Sequence, residues 1–287
     1  MQRLNTKLAI LSYIQKRQSV TLNELHQFAS ERLKIKDKKY LYSAYLYSLL
    51  KQGHIVRQRR GLYSIVDIDQ PSIPPDPYIL ASRLRHPYYL GYTSALDLLG
   101  AASSLFTQII VAVRKGDRFS SFEYPKGNPR YRILSTEVDD LKQGLRQVTY
   151  QGDDLIISSE ARTLIEVVDQ PQLAGGWGEV IRSLDLLITN FRLNDLEEVA
   201  ILLELFGNKS LAARVGFLLD LFATMGSISL PLDTLERTRS WVTNGSPSYL
   251  FSRSSLEEVV RNKKWNIYVP KDFLERFFVD QRIGRFS

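Results

Sequence analysis

The chain has 287 residues, 44% apolar and 24% charged, which suffices for a sizeable core and about two domains and excludes general disorder. With no cysteine it has no disulfide, thiolate zinc site or cysteine nucleophile. The net charge of +7 is unevenly spread: residues 1–68 carry thirteen Lys/Arg against four acids, a net of +9, and the remainder stands at −2. A basic module on a near-neutral body is an electrostatic footprint for nucleic acid, although a basic surface can equally be only solvated.

Leu4, Leu8, Ile10, Leu11 and Ile14 recur at helical spacing and predict a helix over residues 5–17, broken at Gln18-Ser19-Val20. Thr21-Leu22-Asn23-Glu24 has the form of a capping box, in which the Thr21 hydroxyl and the Glu24 carboxylate each satisfy the other's backbone N–H. The second helix then runs to about Arg32 and buries Leu22, Leu25, Phe28, Ala29 and Leu33. Residues 34–36 form a basic turn, Asp37 is the expected N-cap of a third helix over 38–52, and Gly53 ends that helix. Leu41 or Tyr42, Tyr45, Leu46 and Leu49 fall on one side of it; Lys39, Ser43 and Tyr47 fall on the other. Residues 55–58 and 62–65 are β-prone runs joined across Arg59-Arg60-Gly61, hence a hairpin with arginines exposed at its tip. This order of elements predicts a winged helix-turn-helix. Lys36, Lys38, Lys39, Ser43 and Tyr47 are then expected in or beside the DNA major groove, with Arg57, Arg59 and Arg60 on phosphates.

The proline-rich residues 69–77 predict a stiff linker between residues 1–68 and a second domain spanning 78–287. Beyond it, short helices are expected over 78–85 and 93–99, the second capped by Thr93 and stopped by Gly100. A buried strand at 108–113 follows, then a hairpin at 122–124 and 131–134 around a Pro-Lys-Gly-Asn-Pro turn, and strands at 147–150 and 155–157. Helices are expected over 159–169, 178–189, 194–206, 210–225 and 232–242, and a strand at 265–269 precedes a helical tail. The class is therefore α+β: an N-terminal winged helix-turn-helix, then a domain with a small sheet and a helical bundle. The N-terminus lacks the pattern of a signal peptide. The longest uncharged stretch, residues 98–113, is shorter than the ~20 apolar residues a membrane span needs, so a cytoplasmic location without membrane contact is expected.

Catalytic constellations are weak. His26, His54 and His86 lie far apart, and no phosphate loop or dinucleotide fingerprint is present. Gly175-Gly176-Trp177-Gly178 lacks the preceding strand and basic residue of an anion loop. Asp153 and Asp154 with Glu160-Ala161-Arg162 are the sharpest candidate, for Mg²⁺-dependent phosphodiester cleavage. The same residues also read as a hairpin turn followed by a helix start.

Three segments resemble the AbiEi family, the antitoxin component of type IV abortive-infection toxin–antitoxin systems. They are LLKQGHIVRQRRGLYSI at the end of the N-terminal module, YYLGYTSALDLLGAASSLFTQIIVAV, and IISSEARTLIEVVDQPQLAGG. The likeness extends to about residue 225. It implies an autorepressor whose winged helix binds inverted repeats of double-stranded DNA in its own promoter. It implies further that the second domain counteracts a nucleotidyltransferase-like toxin encoded beside it, without a catalytic centre or cofactor of its own. The alternatives are a winged-helix regulator with a ligand-sensing second domain and a metal-dependent nuclease.

Overall fold

The computed structural model describes residues 2–66, 75–125, 128–229, 231–242, 245–251 and 258–275, and its class is α+β. Helix α1 (Gln2–Arg17) buries Ile10 and Ile14 and ends at Gln18, whose φ of 56° turns the backbone. Next comes a three-residue strand, β1 (Ser19–Thr21), too short to leave a periodic signal. Helix α2 (Leu22–Leu33) starts in the expected capping box: Thr21 Oγ1 accepts from the Glu24 N–H at 3.2 Å, and Glu24 Oε2 accepts from the Thr21 N–H at 2.7 Å. Leu25 and Ala29 are fully buried, with Leu22, Phe28 and Leu33 packed beside them.

Asp37 caps α3 (Lys38–Leu41) by accepting from the Lys39 and Tyr40 N–H groups. The helix continues through one π turn, Tyr42–Leu46, into α4 (Tyr47–Lys51). In that turn the Tyr47 N–H reaches the Tyr42 carbonyl, five residues back. The extra residue shifts the helix phase, so Leu41, Tyr45, Leu46 and Leu49 all face the core while Tyr42 is left half-buried. Each large side chain so buried contributes roughly 1.5–3 kcal/mol. Strands β2 (Ile55–Arg59) and β3 (Leu62–Ile65) form the hairpin, and β3 is the centre of a sheet ordered β1-β3-β2.

Asp76 caps α5 (Pro77–Ser82). A six-stranded sheet follows, built from β4 (Tyr88–Leu90), β5 (Gln108–Arg114), β6 (Phe122–Tyr124), β7 (Tyr131–Val138), β8 (Leu145–Tyr150) and β9 (Asp153–Ser158), in the order β6-β7-β5-β4-β9-β8. Strand β5 is buried from Ile109 to Val113, as an uninterrupted apolar run requires. It runs parallel to β7 and antiparallel to β4, and β6–β7 is the expected hairpin; residues 126–127 of its turn lie outside the described residues.

The chain divides into two compact units: Met1–Leu90 with Thr107–Leu141 and Gln147–Ile156, and Gly91–Phe106 with Lys142–Arg146 and Ile157–Ser287. The N-terminal helices thus share a unit with most of the sheet, rather than separating from it at residues 69–77. Hydrogen bonds account for this. The Asp76 N–H donates to Gln18 Oε1 at 3.2 Å, Tyr150 Oη to Asp76 Oδ2 at 3.1 Å, and Tyr124 Oη to the Pro75 carbonyl at 2.5 Å. Of the expected linker, residues 69–74 lie outside the described residues.

The second unit holds α6 (Thr93–Leu98), α7 (Glu160–Asp169), α8 (Trp177–Thr189), α9 (Leu193–Phe206), α10 (Lys209–Thr224) and α11 (Leu232–Ser240). Its last three strands, β10 (Ser248–Tyr249), β11 (Val259–Asn262) and β12 (Ile267–Pro270), form a sheet ordered β10-β12-β11 where a single strand was expected. The N-cap of α6 is Tyr92, so Thr93 lies inside that helix and does not cap it. Ser159 does cap α7, accepting from the Arg162 N–H. Inside α7, Arg162 Nε donates to Glu166 Oε1 at 2.8 Å in a buried i,i+4 ion pair, and the Gln143 carbonyl accepts from Arg162 Nη1. The fully buried Trp265 lies against Gly216 of α10, which has no Cβ to keep the indole away. The expected helical tail lies mostly outside the described residues.

Candidate nucleic-acid interface

Two surfaces of the N-terminal module carry its charge. The first is the side of residues 38–51 turned away from the core. Lys38, Lys39, Ser43 and Tyr47 are all exposed there, Tyr47 at 58%, and Lys36 is exposed in the turn before it. A large aromatic ring that exposed on a helix offers an apolar face to whatever docks there. Lys38 Nζ donates to Asn23 Oδ1 at 2.8 Å, and Ser43 Oγ donates back to the Tyr40 carbonyl at 3.4 Å. The turn is pinned by His26, whose Nε2 lies 2.8 Å from the Lys36 carbonyl. Because a carbonyl only accepts, Nε2 carries the proton.

The second surface is the hairpin. Arg57 and Arg60 are exposed. Arg59 departs from its expected place at an exposed tip. Alternation along a strand would put Arg57 and Arg59 on one face. The register instead shifts between them, pairing Arg57 with Tyr63 and Arg59 with Leu62, so that Gln58 is an extra residue in a β-bulge. The bulge re-aims Arg59. Its guanidinium lies 5.3 Å from the Phe119 ring centroid and 5.2 Å from that of Phe122, and its Nη1 is buried with no hydrogen-bond partner among the described residues. Burial, and then the Arg85 guanidinium nearby, pull the Arg59 pKa below the usual arginine value.

Two further cations carry no signal of their own in the sequence. Arg83 and Arg85 follow α5 in an unremarkable short segment, and only the fold brings them to the hairpin. Arg83 Nη2 pairs with Asp153 Oδ1 at 2.5 Å and its Nη1 lies 3.7 Å from Glu24 Oε1. Arg85 lies 5.4 Å from the Phe119 centroid and donates to the Asp117 and Leu84 carbonyls.

The residues considered for metal-dependent cleavage are engaged elsewhere. Asp153 holds Arg83, Asp154 accepts from Thr149 Oγ1 at 3.0 Å, and Glu160 pairs with Arg146. Among the described residues no three His, Asp or Glu side chains come together as metal ligands. Nor, among them, is any helix long and apolar enough to cross a membrane.

No protein-family model matches the chain, and no curated protein matches it. Among solved structures it is similar to the RV2827C protein from Mycobacterium tuberculosis, with 17% identity, a TM-score of 0.55, and coverage of 93% of this chain and 89% of that one. A likeness at that identity speaks to the fold alone.

Proposed function

We propose that the protein is a DNA-binding autorepressor and antitoxin, with a winged helix at its N-terminus and a second, helical part that counteracts a nucleotidyltransferase-like toxin. One observation carries the DNA half of the reading. The polar side of residues 38–51, with Lys38, Lys39, Ser43 and Tyr47, belongs to the same small module as a hairpin that exposes Arg57 and Arg60. A helix read by its exposed side in the major groove, flanked by phosphate-binding arginines, needs that set of groups. The net charge of +9 on residues 1–68 supplies the long-range attraction. The antitoxin half rests on the likeness of three sequence segments to the AbiEi family.

Footprinting of the full chain on the DNA upstream of its own gene tests the first half. Two half-sites related by a dyad and spaced about 34 Å, or a multiple of it, are expected. Protection of a single unsymmetrical site would count against it. For the second half, co-expression with the neighbouring gene product is expected to restore growth that the product alone arrests.

A further inference from the structure

The hairpin, the first turn of α2, the start of α3 and the segment after α5 surround an open cleft of about 670 Å³. Six cations line it: Lys38, Arg57, Arg59, Arg60, Arg83 and Arg85. No carboxylate is among the lining residues, and of the six only Arg83 has an acidic partner among the described residues. Arg59 and Arg85 both stand over the Phe119 ring, at 5.3 and 5.4 Å, with backbone carbonyls holding Arg85 in place. Two guanidiniums sharing one ring repel each other, and fixing them there costs stability that a bound anion would return. Their donors are of the kind that grips phosphate oxygens, and the cleft volume lies within the range of small-ligand sites.

We infer that this cleft is a phosphate-binding site, built jointly by the hairpin and by Arg83 and Arg85. The phosphate belongs either to the backbone of bound DNA or to a free phosphorylated compound. In the first case the site deepens the DNA reading; in the second it stands without it.

The test uses the full chain and two probes, inorganic tripolyphosphate by titration calorimetry and a short random-sequence duplex by binding at several salt concentrations. Arg85→Gln and Arg60→Gln are the cleft variants, and Lys263→Gln, on an exposed lysine that does not line the cleft, is the control. Arg60 is exposed, so its substitution tests the cleft even where Arg85→Gln impairs folding. The expected result is that tripolyphosphate binds and that each cleft variant weakens it about tenfold or more, as loss of a charged hydrogen bond does, while the control does not. An Arg85→Gln duplex slope lower by about 1 assigns the phosphate to DNA; an unchanged slope assigns it to a free ligand. Failure of tripolyphosphate to bind, or equal binding by all variants, together with an unchanged Arg85→Gln slope, would overturn the site. Failure of the duplex to bind while tripolyphosphate still does would leave the site standing and overturn only the DNA reading.

Discussion

Replacing Gly216 by alanine isolates one packing decision. On the exposed surface of a helix the change would be favourable by up to about 1 kcal/mol. Here a Cβ at position 216 would lie 2.0 Å from Trp265 Cζ3 and 2.4 Å from Cη2, so ring and helix must separate by more than an ångström. The indole cannot yield freely: it is fully buried, and its Nε1 donates to Asp220 Oδ2 at 3.0 Å. Overpacking costs about 1–3 kcal/mol, and loss of the bond to the carboxylate about 1.5–3 kcal/mol. After the helix gain is subtracted, Gly216→Ala is expected to destabilise the second unit by about 1.5–5 kcal/mol. Urea unfolding followed by tryptophan fluorescence reads this directly. Trp265→Leu should cost less in the Gly216→Ala background than in the wild type, because the clash is then already relieved. A neutral or stabilising Gly216→Ala, or additive effects of the two changes, would refute the packing assigned to Gly216.

Three other outcomes are expected. Thr21→Ala removes one side of the capping box and should lower stability by about 1 kcal/mol in chemical denaturation. Asp37→Ala exposes the Lys39 and Tyr40 N–H groups, should cost a similar amount, and should weaken duplex binding in a direct titration because α3 then frays where Lys38 and Lys39 are held. Glu198 has its carboxyl pKa raised, chiefly by burial and further by Asp195 and Glu160, against the lowering effect of the Ser159 hydroxyl. A carboxyl whose folded pKa exceeds its unfolded one penalises folding above the folded pKa, and the penalty disappears as pH falls below the unfolded value. Glu198→Gln should therefore raise stability near pH 7, and the gain should vanish as pH falls through the usual carboxylate range; thermal melts at several pH values check this.

Local chemistry made much of this fold legible. Thr21 with Glu24, Asp37 and Gly53 mark helix ends through hydrogen bonds and backbone angles that depend only on near neighbours. The buried strand β5 follows from its unbroken apolar run, and the apolar faces of α9 and α10 follow from helical periodicity. Strands β1, β4 and β10, of two or three residues, are too short to carry a period and pair with segments well separated from them in sequence. The π turn is a backbone event that tertiary packing selects, and it settles whether Leu41 or Tyr42 faces inward. At the candidate interface the exposed side of residues 38–51 could be read from helical spacing. Arg59 could not, since the bulge that turns it onto Phe119 and Phe122 arises from strand pairing. Arg83 and Arg85 join the same surface only through the tertiary fold.

The central claim is that the N-terminal module holds duplex DNA through its helix and hairpin. The most direct measurement is the salt dependence of duplex binding by the wild-type chain and by a chain with both Arg57→Ala and Arg60→Ala. Each phosphate contact contributes about 0.9 to the slope of log affinity against log salt. The account requires tight wild-type binding at low salt and a slope about 2 smaller in the double variant, with affinity lowered alike for every sequence. Absence of duplex binding, or the same slope in both proteins, would contradict it.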